Sequence, residues 1–86
     1  MAVNLKLRKL LPEEALVFDN ASYDNSIVGV TTDNRVVYDY EKMILEFMKD
    51  EECRYEDAVD WIEFNTIRSL PYAGEYAPII MYPILK

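Results

Sequence analysis

The sequence predicts a small α+β domain, in which a small antiparallel sheet (a first strand, a β-hairpin and a C-terminal edge strand) packs against two consecutive helices. Three observations carry this expectation. Eighty-six residues fit one domain, 1–86. Of these, 51% are hydrophobic and only two are glycine, a composition too apolar for a disordered chain. A β-rich stretch over 27–38 is followed by two segments of helical periodicity, without the alternation of a βαβ fold. A chain of this length buries roughly 60–65% of its extended surface on folding, enough for one modest core.

Residues 1–12 form a basic segment with Lys6, Arg8 and Lys9, expected at the periphery and broken by Pro12. It lacks the continuous apolar stretch and small-residue cleavage site of a signal peptide. Ala15-Leu16-Val17-Phe18 is a short apolar run between acids and Asp19-Asn20, which suits a strand. Residues 19–26 are rich in Asp, Asn and Ser and read as a loop. Two β-rich runs, 27–32 and 35–38, flank Asp33-Asn34. Both turn residues tolerate positive φ, so a two-residue hairpin is expected, pairing Thr32 with Arg35 and Val30 with Val37. Val28, Val30 and Val37 would then share one face.

A helix follows, with Asp39 as its N-cap and Glu41 in its first turn. Tyr40, Met43, Ile44, Phe47 and Met48 form its apolar stripe, Lys49 lies near its end, and Asp50, Glu51 and Glu52 lie beyond. A second helix is expected from about 55 to 70, closed by Pro71. Tyr55, Ala58, Val59, Ile62 and Thr66 make one stripe, which Trp61, Phe64 and Ile67 widen. Two readings fit so broad an apolar surface: cover from sheet and first helix together, or an exposed partner site. Residues 79–82 form a last strand, and the prolines at 78 and 83 assign it to an edge.

The charge is regional. Residues 39–63 hold ten acids against three bases and carry the whole net charge of −7; the other six acids and six bases cancel. With no histidine, the commonest general base is missing. Cys53, the single cysteine, precludes an internal disulfide and fits a reducing cytoplasm. It has no histidine to activate it, and Glu51 and Glu52 disfavour its thiolate while Arg54 favours it. Gly29 and Gly74 are too few for a G-x-G-x-x-G fingerprint or a P-loop. Glu56, Asp60 and Glu63, at i, i+4 and i+7, could in principle offer hard oxygens to Mg²⁺ or Ca²⁺. The spacing is not that of an EF-hand, and a solvated helix face explains it without an ion. No cofactor and no metal are therefore expected, and no apolar window is long enough to span a membrane. A helix-turn-helix reading would set Glu56, Asp57 and Asp60 against DNA phosphates, so direct nucleic-acid binding is not expected.

Several stretches resemble short acidic proteins of no established activity from genomes, phages and mobile elements of Gram-positive bacteria. They are Val37-Tyr38-Asp39-Tyr40 with Lys42-Met43, the run Glu56-Asp57-Ala58-Val59-Asp60-Trp61-Ile62-Glu63-Phe64-Asn65-Thr66, and Leu70-Pro71-Tyr72 with Ala77-Pro78-Ile79. The resemblance spans about residues 10–82 and implies a bacterial or phage cytoplasmic protein; it supplies no catalytic residue.

The expected function is non-enzymatic. An acidic helical face of Asp50, Glu51, Glu52, Glu56, Asp57, Asp60 and Glu63 would dock on a basic protein surface, with the carboxylates as nucleic-acid mimics if that partner binds nucleic acid. A phage inhibitor of a host nuclease or defence system is one instance. The competing explanation is acidity for solubility alone. An alternative is a homo-oligomerising module anchored by Trp61, Phe64, Tyr72 and Tyr76, residues that would otherwise complete the core. A small carboxylate or metal enzyme is the third, least favoured reading.

Overall fold

The computed structural model describes residues 9–84, so the expectations for Lys6 and Arg8 fall outside the described residues. The chain forms strand β1 (Ile27–Val30), strand β2 (Val36–Asp39), helix α1 (Tyr40–Glu51), helix α2 (Tyr55–Trp61) and strand β3 (Ile79–Met81). A small sheet beside helices confirms the α+β class.

The sheet has the order β1-β2-β3. β1 runs antiparallel to β2, but β3 runs parallel to it, with Val37 opposite Ile79 and Asp39 opposite Met81. The sheet is therefore mixed, a departure from the antiparallel arrangement expected. Parallel neighbours need a long crossover, which the helices and the chain to Pro78 provide before β3 begins beside the start of β2. β3 lies at an edge, as its flanking prolines require.

The hairpin forms in a different register. Asn34 N–H donates to the Thr31 carbonyl at 3.1 Å and Thr31 N–H to the Arg35 carbonyl at 2.8 Å. Asn34, at φ 64°, adopts the left-handed conformation that closes a three-residue loop. Val30 thus faces Val36 instead of Val37, and Val28 is extra in a bulge between Ile27 and Gly29. Val28 and Val30 are exposed on the edge strand, while Val36 and Tyr38 are fully buried.

Ala15 to Phe18 is extended but joins no ladder, correcting the first strand. Its backbone is served singly: Leu16 N–H donates to the Tyr76 carbonyl at 3.2 Å, and Phe18 N–H to the Tyr38 hydroxyl at 3.1 Å. Ala15, Val17 and Phe18 pack on the core, so burial and not strand pairing determines the path. Within the expected 19–26 loop, Ala21–Ser26 forms a 3-10 helix capped by Asn20, whose Oδ1 accepts from Ser22 N–H at 3.1 Å. Ser22, Tyr23, Asp24 and Ser26 are buried in it.

Asp39 caps α1, its Oδ1 accepting from Lys42 N–H at 3.1 Å. Tyr40, Met43, Ile44 and Phe47 are buried and Met48 is half-buried, as the stripe requires. α1 runs on to Glu51, past the expected end near Lys49. The second helical region changes pitch twice: α2 gives way to a π segment, Ile62–Thr66, and then to a 3-10 segment, Ile67–Tyr72. Two local causes are visible. The Asn65 side-chain amide donates to the Trp61 carbonyl at 3.0 Å and Ser69 Oγ to the Thr66 carbonyl at 2.8 Å, both competing with main-chain donors. The wider π turn also places Ile62 and Ile67, five residues apart, against one core. Ala58, Ile62 and Thr66 are buried; Tyr55, expected beside them, is exposed.

Asp39 holds the start of α1 with one side-chain bond. Asp39→Ala is expected to cost about 1 kcal/mol in urea unfolding, and Asp39→Asn much less. Equal losses would show that the charge and not the cap carries the effect.

Candidate functional site

Every one of the seven candidate acids is solvent-exposed, and the structure places them in two groups around the α1–α2 junction. Asp50 and Glu51 close α1, Glu52 is its C-cap, and Glu56, Asp57 and Asp60 lie on α2 with Glu63 in the π segment beyond. Only some have a partner among the described residues. Asp50 accepts from the Ser22 hydroxyl, tying α1 to the buried 3-10 helix. Asp57 pairs with Arg54 at 3.6 Å across an exposed surface, a contact of small energetic value. Glu63 accepts from the Tyr40 hydroxyl at 2.5 Å. Glu51, Glu52, Glu56 and Asp60 make no hydrogen bond or ion pair with another described residue.

The positions of the first group are costly. The C-terminus of a helix carries a partial negative charge, so Asp50 and Glu51 stand at the end that disfavours them. Glu52 adopts the left-handed conformation, φ 50° and ψ 45°, at a position where glycine is usual. The second group is different, since Glu56 and Asp57 occupy the favourable first turn of α2.

Among the four candidate aromatics, Trp61 and Phe64 lie one turn apart. Trp61 packs on Phe47 with ring centroids 5.1 Å apart yet stays 48% exposed. Phe64 is 66% exposed, with the Arg68 guanidinium 5.0 Å from its ring centre. Tyr72 is almost fully exposed in the 3-10 segment. Tyr76 is half-buried and lines a separate depression with Asp33, Asn34 and Glu75. Trp61, Phe64 and Tyr72 therefore do not complete the core.

Burial first, and then the hydrogen bond to Glu63 with its negative charge, hold the Tyr40 hydroxyl well above the usual tyrosine range. Burial likewise raises Tyr23. Tyr55 is raised chiefly by its bond to the Glu41 carboxylate, at 3.1 Å. Cys53 is half-buried and packs on the core. Among the described residues no group of three or more Cys, Asp or Glu could hold a metal ion, and no helix is long and apolar enough to cross a membrane.

The sequence reading missed a cavity of about 280 Å³ beside Trp61. Its wall combines Phe18, Asp19, Asn20 and Tyr23 with Asn65, Thr66 and Ser69. These segments are some forty residues apart, and no local pattern announced their meeting. Comparison with protein-family models, with curated proteins and with solved structures gives no match.

Two outcomes follow from this geometry. Glu52→Gly relieves the left-handed strain and is expected to raise stability by up to about 1 kcal/mol in urea unfolding. An unchanged or lower midpoint would show that the Glu52 side chain stabilises the fold. Tyr40 keeps its proton longer in the folded than in the unfolded chain, so its contribution to stability is complete below about pH 10 and is lost as pH rises above it. Tyr40→Phe should flatten the decline of Tm measured from pH 9 to 12; an unchanged slope would remove Tyr40 as its source.

Proposed function

We propose that this protein is a non-enzymatic interaction module whose acidic surface docks on a basic surface of another protein. The observation that carries this reading is the cost of the acidic junction. Asp50 and Glu51 stand at an unfavourable helix end, and Glu52 is strained in the left-handed region. Acids retained only for solubility could occupy any exposed position; Glu51 and Glu52 occupy positions that lower stability, whereas the cost at Asp50 is offset by its bond from Ser22. Trp61 and Phe64, exposed on the same helical region, supply the apolar anchors that charged docking faces usually need.

If the partner binds nucleic acid, the carboxylates occupy phosphate positions and the module competes with DNA or RNA. Together with the resemblance to phage and mobile-element proteins, this favours an inhibitor of a bacterial nucleic-acid-binding or defence protein, acting in the cytoplasm. Charge complementarity makes such an encounter fast and salt-sensitive. A repulsive acidic surface also disfavours direct contact with nucleic acid.

The test is capture of partners from bacterial lysate by wild type and by a variant carrying Glu51→Lys, Glu56→Lys and Asp60→Lys. This choice leaves the Tyr40–Glu63 and Ser22–Asp50 bonds intact. At about 50 mM salt the wild type should retain a protein that the variant loses, and about 500 mM salt should release it, because exposed charges are then screened within a few ångströms. A protein held equally by both, at both salt levels, would replace the acidic face by the aromatic surface. Self-association in place of partner capture, with a sedimentation mass of a dimer, would favour the homo-oligomer.

A further inference from the structure

We propose that the cavity beside Trp61 is the receptor for one arginine side chain of the protein partner. This rests on the docking reading and names the residue that the partner inserts.

Three aromatic side chains line the cavity. Phe18 meets Tyr23 edge-on, with centroids 5.9 Å apart, and Trp61 stands on the adjoining helical wall. The single charged residue among the lining side chains is the exposed carboxylate of Asp19. Aromatic faces with one carboxylate select a cation.

Hydrogen-bonding capacity points the same way. Asn65 has committed a side-chain N–H to the Trp61 carbonyl, and the Ser69 hydroxyl has committed its one proton to the Thr66 carbonyl. Asn65 Oδ1 and Ser69 Oγ keep acceptor capacity facing the Asp19 carboxylate, beside one remaining Asn65 N–H. Tyr23 is 2% exposed and lends the cavity its ring more than its hydroxyl, which is buried beneath the surface. A donor-rich ligand would satisfy the free acceptors of Asn65 and Ser69 together with the Asp19 carboxylate.

Size and shape narrow the class. An apolar cavity of about 150 Å³ admits benzene, and sites for drug-sized ligands begin near about 300 Å³. At about 280 Å³ the cavity suits one side chain. A guanidinium is flat, carries five donors and stacks on aromatic rings, whereas an ammonium is a compact, strongly hydrated charge. Arginine is also, with tryptophan and tyrosine, enriched at interface hot spots. Asp57 and Asp60 lie on the helix that carries Trp61, so an arginine seated here belongs to the basic surface proposed to meet them.

Trp61 is the only tryptophan, so its fluorescence reports directly on this site. The probes are a capped five-residue Gly-Gly-Arg-Gly-Gly peptide and the same peptide with citrulline, the neutral isostere of arginine. The arginine peptide should perturb Trp61 saturably and bind about tenfold more tightly than the citrulline peptide. Asp19→Asn should abolish that preference. The triple lysine variant should still bind the peptide at about 500 mM salt, where surface charge is screened. Loss of partner capture and loss of the pocket are thereby separate failures.

Equal affinity for arginine and citrulline peptides overturns the proposal. So does the lack of a saturable response up to about 20 mM peptide, beyond the millimolar range expected of one side chain. Free L-arginine binding ten times more tightly than the capped peptide would assign the cavity to a small molecule and overturn the partner assignment.

Discussion

The consecutive residues Tyr38, Asp39 and Tyr40 join the sheet to everything packed around it. All three are buried, and each reaches a different part of the chain. The Tyr38 ring lies in the core 4.6 Å from Phe18, and its hydroxyl accepts the Phe18 N–H, which fixes the extended N-terminal segment without a ladder. Asp39 ends β2 and caps α1, so strand and helix meet with no intervening loop. Tyr40 sends its hydroxyl to Glu63 and packs its ring 4.8 Å from Tyr82, holding the π segment and the chain after β3. Buried polar groups are stabilising only while their partners are in place. These three residues therefore specify one arrangement where apolar burial alone would allow several.

With the frame fixed in this way, strain collects at the α1–α2 junction. Glu51 at the negative end of a helix and the left-handed Glu52 each lower stability modestly. A domain of this size has little stability to spare. The neighbouring π segment adds a second irregularity, and π turns recur at functional sites. The exposed aromatic pair Trp61 and Phe64 and the cavity beside Trp61 lie along this same stretch. Strain, unpaired charge and exposed rings thus concentrate in one region, away from the regular inner face of α1.

What the sequence revealed depends on the range of the interaction involved. The cap at Asp39 and the buried stripe of α1 rest on residues within one or two turns, and they were legible. The edge position of β3 was legible from its prolines. The hairpin was located correctly, but its register depends on whether Asn34 alone or the Asp33-Asn34 pair takes positive φ, and the sequence permits both. The parallel pairing of β3, the course of 15–18 and the pitch changes after Trp61 depend on distant partners or on side chains competing for carbonyls, and a periodicity leaves those undetermined. The exposed acids of the candidate site could be named in advance from composition. Their cost could not, because it lies in where α1 ends and in the backbone angle of Glu52.

The central claim is that position, and not total charge, makes the acidic junction functional. Two variants of equal net charge separate these directly. One carries Glu51→Gln, Glu56→Gln and Asp60→Asn; the other carries Glu13→Gln, Glu14→Gln and Glu75→Gln, three acids exposed elsewhere. The measurement is the amount of bound partner recovered by each at low salt. Loss confined to the first variant is the predicted result. Equal retention or equal loss in both would contradict the account and leave the acidity as a property of the whole surface.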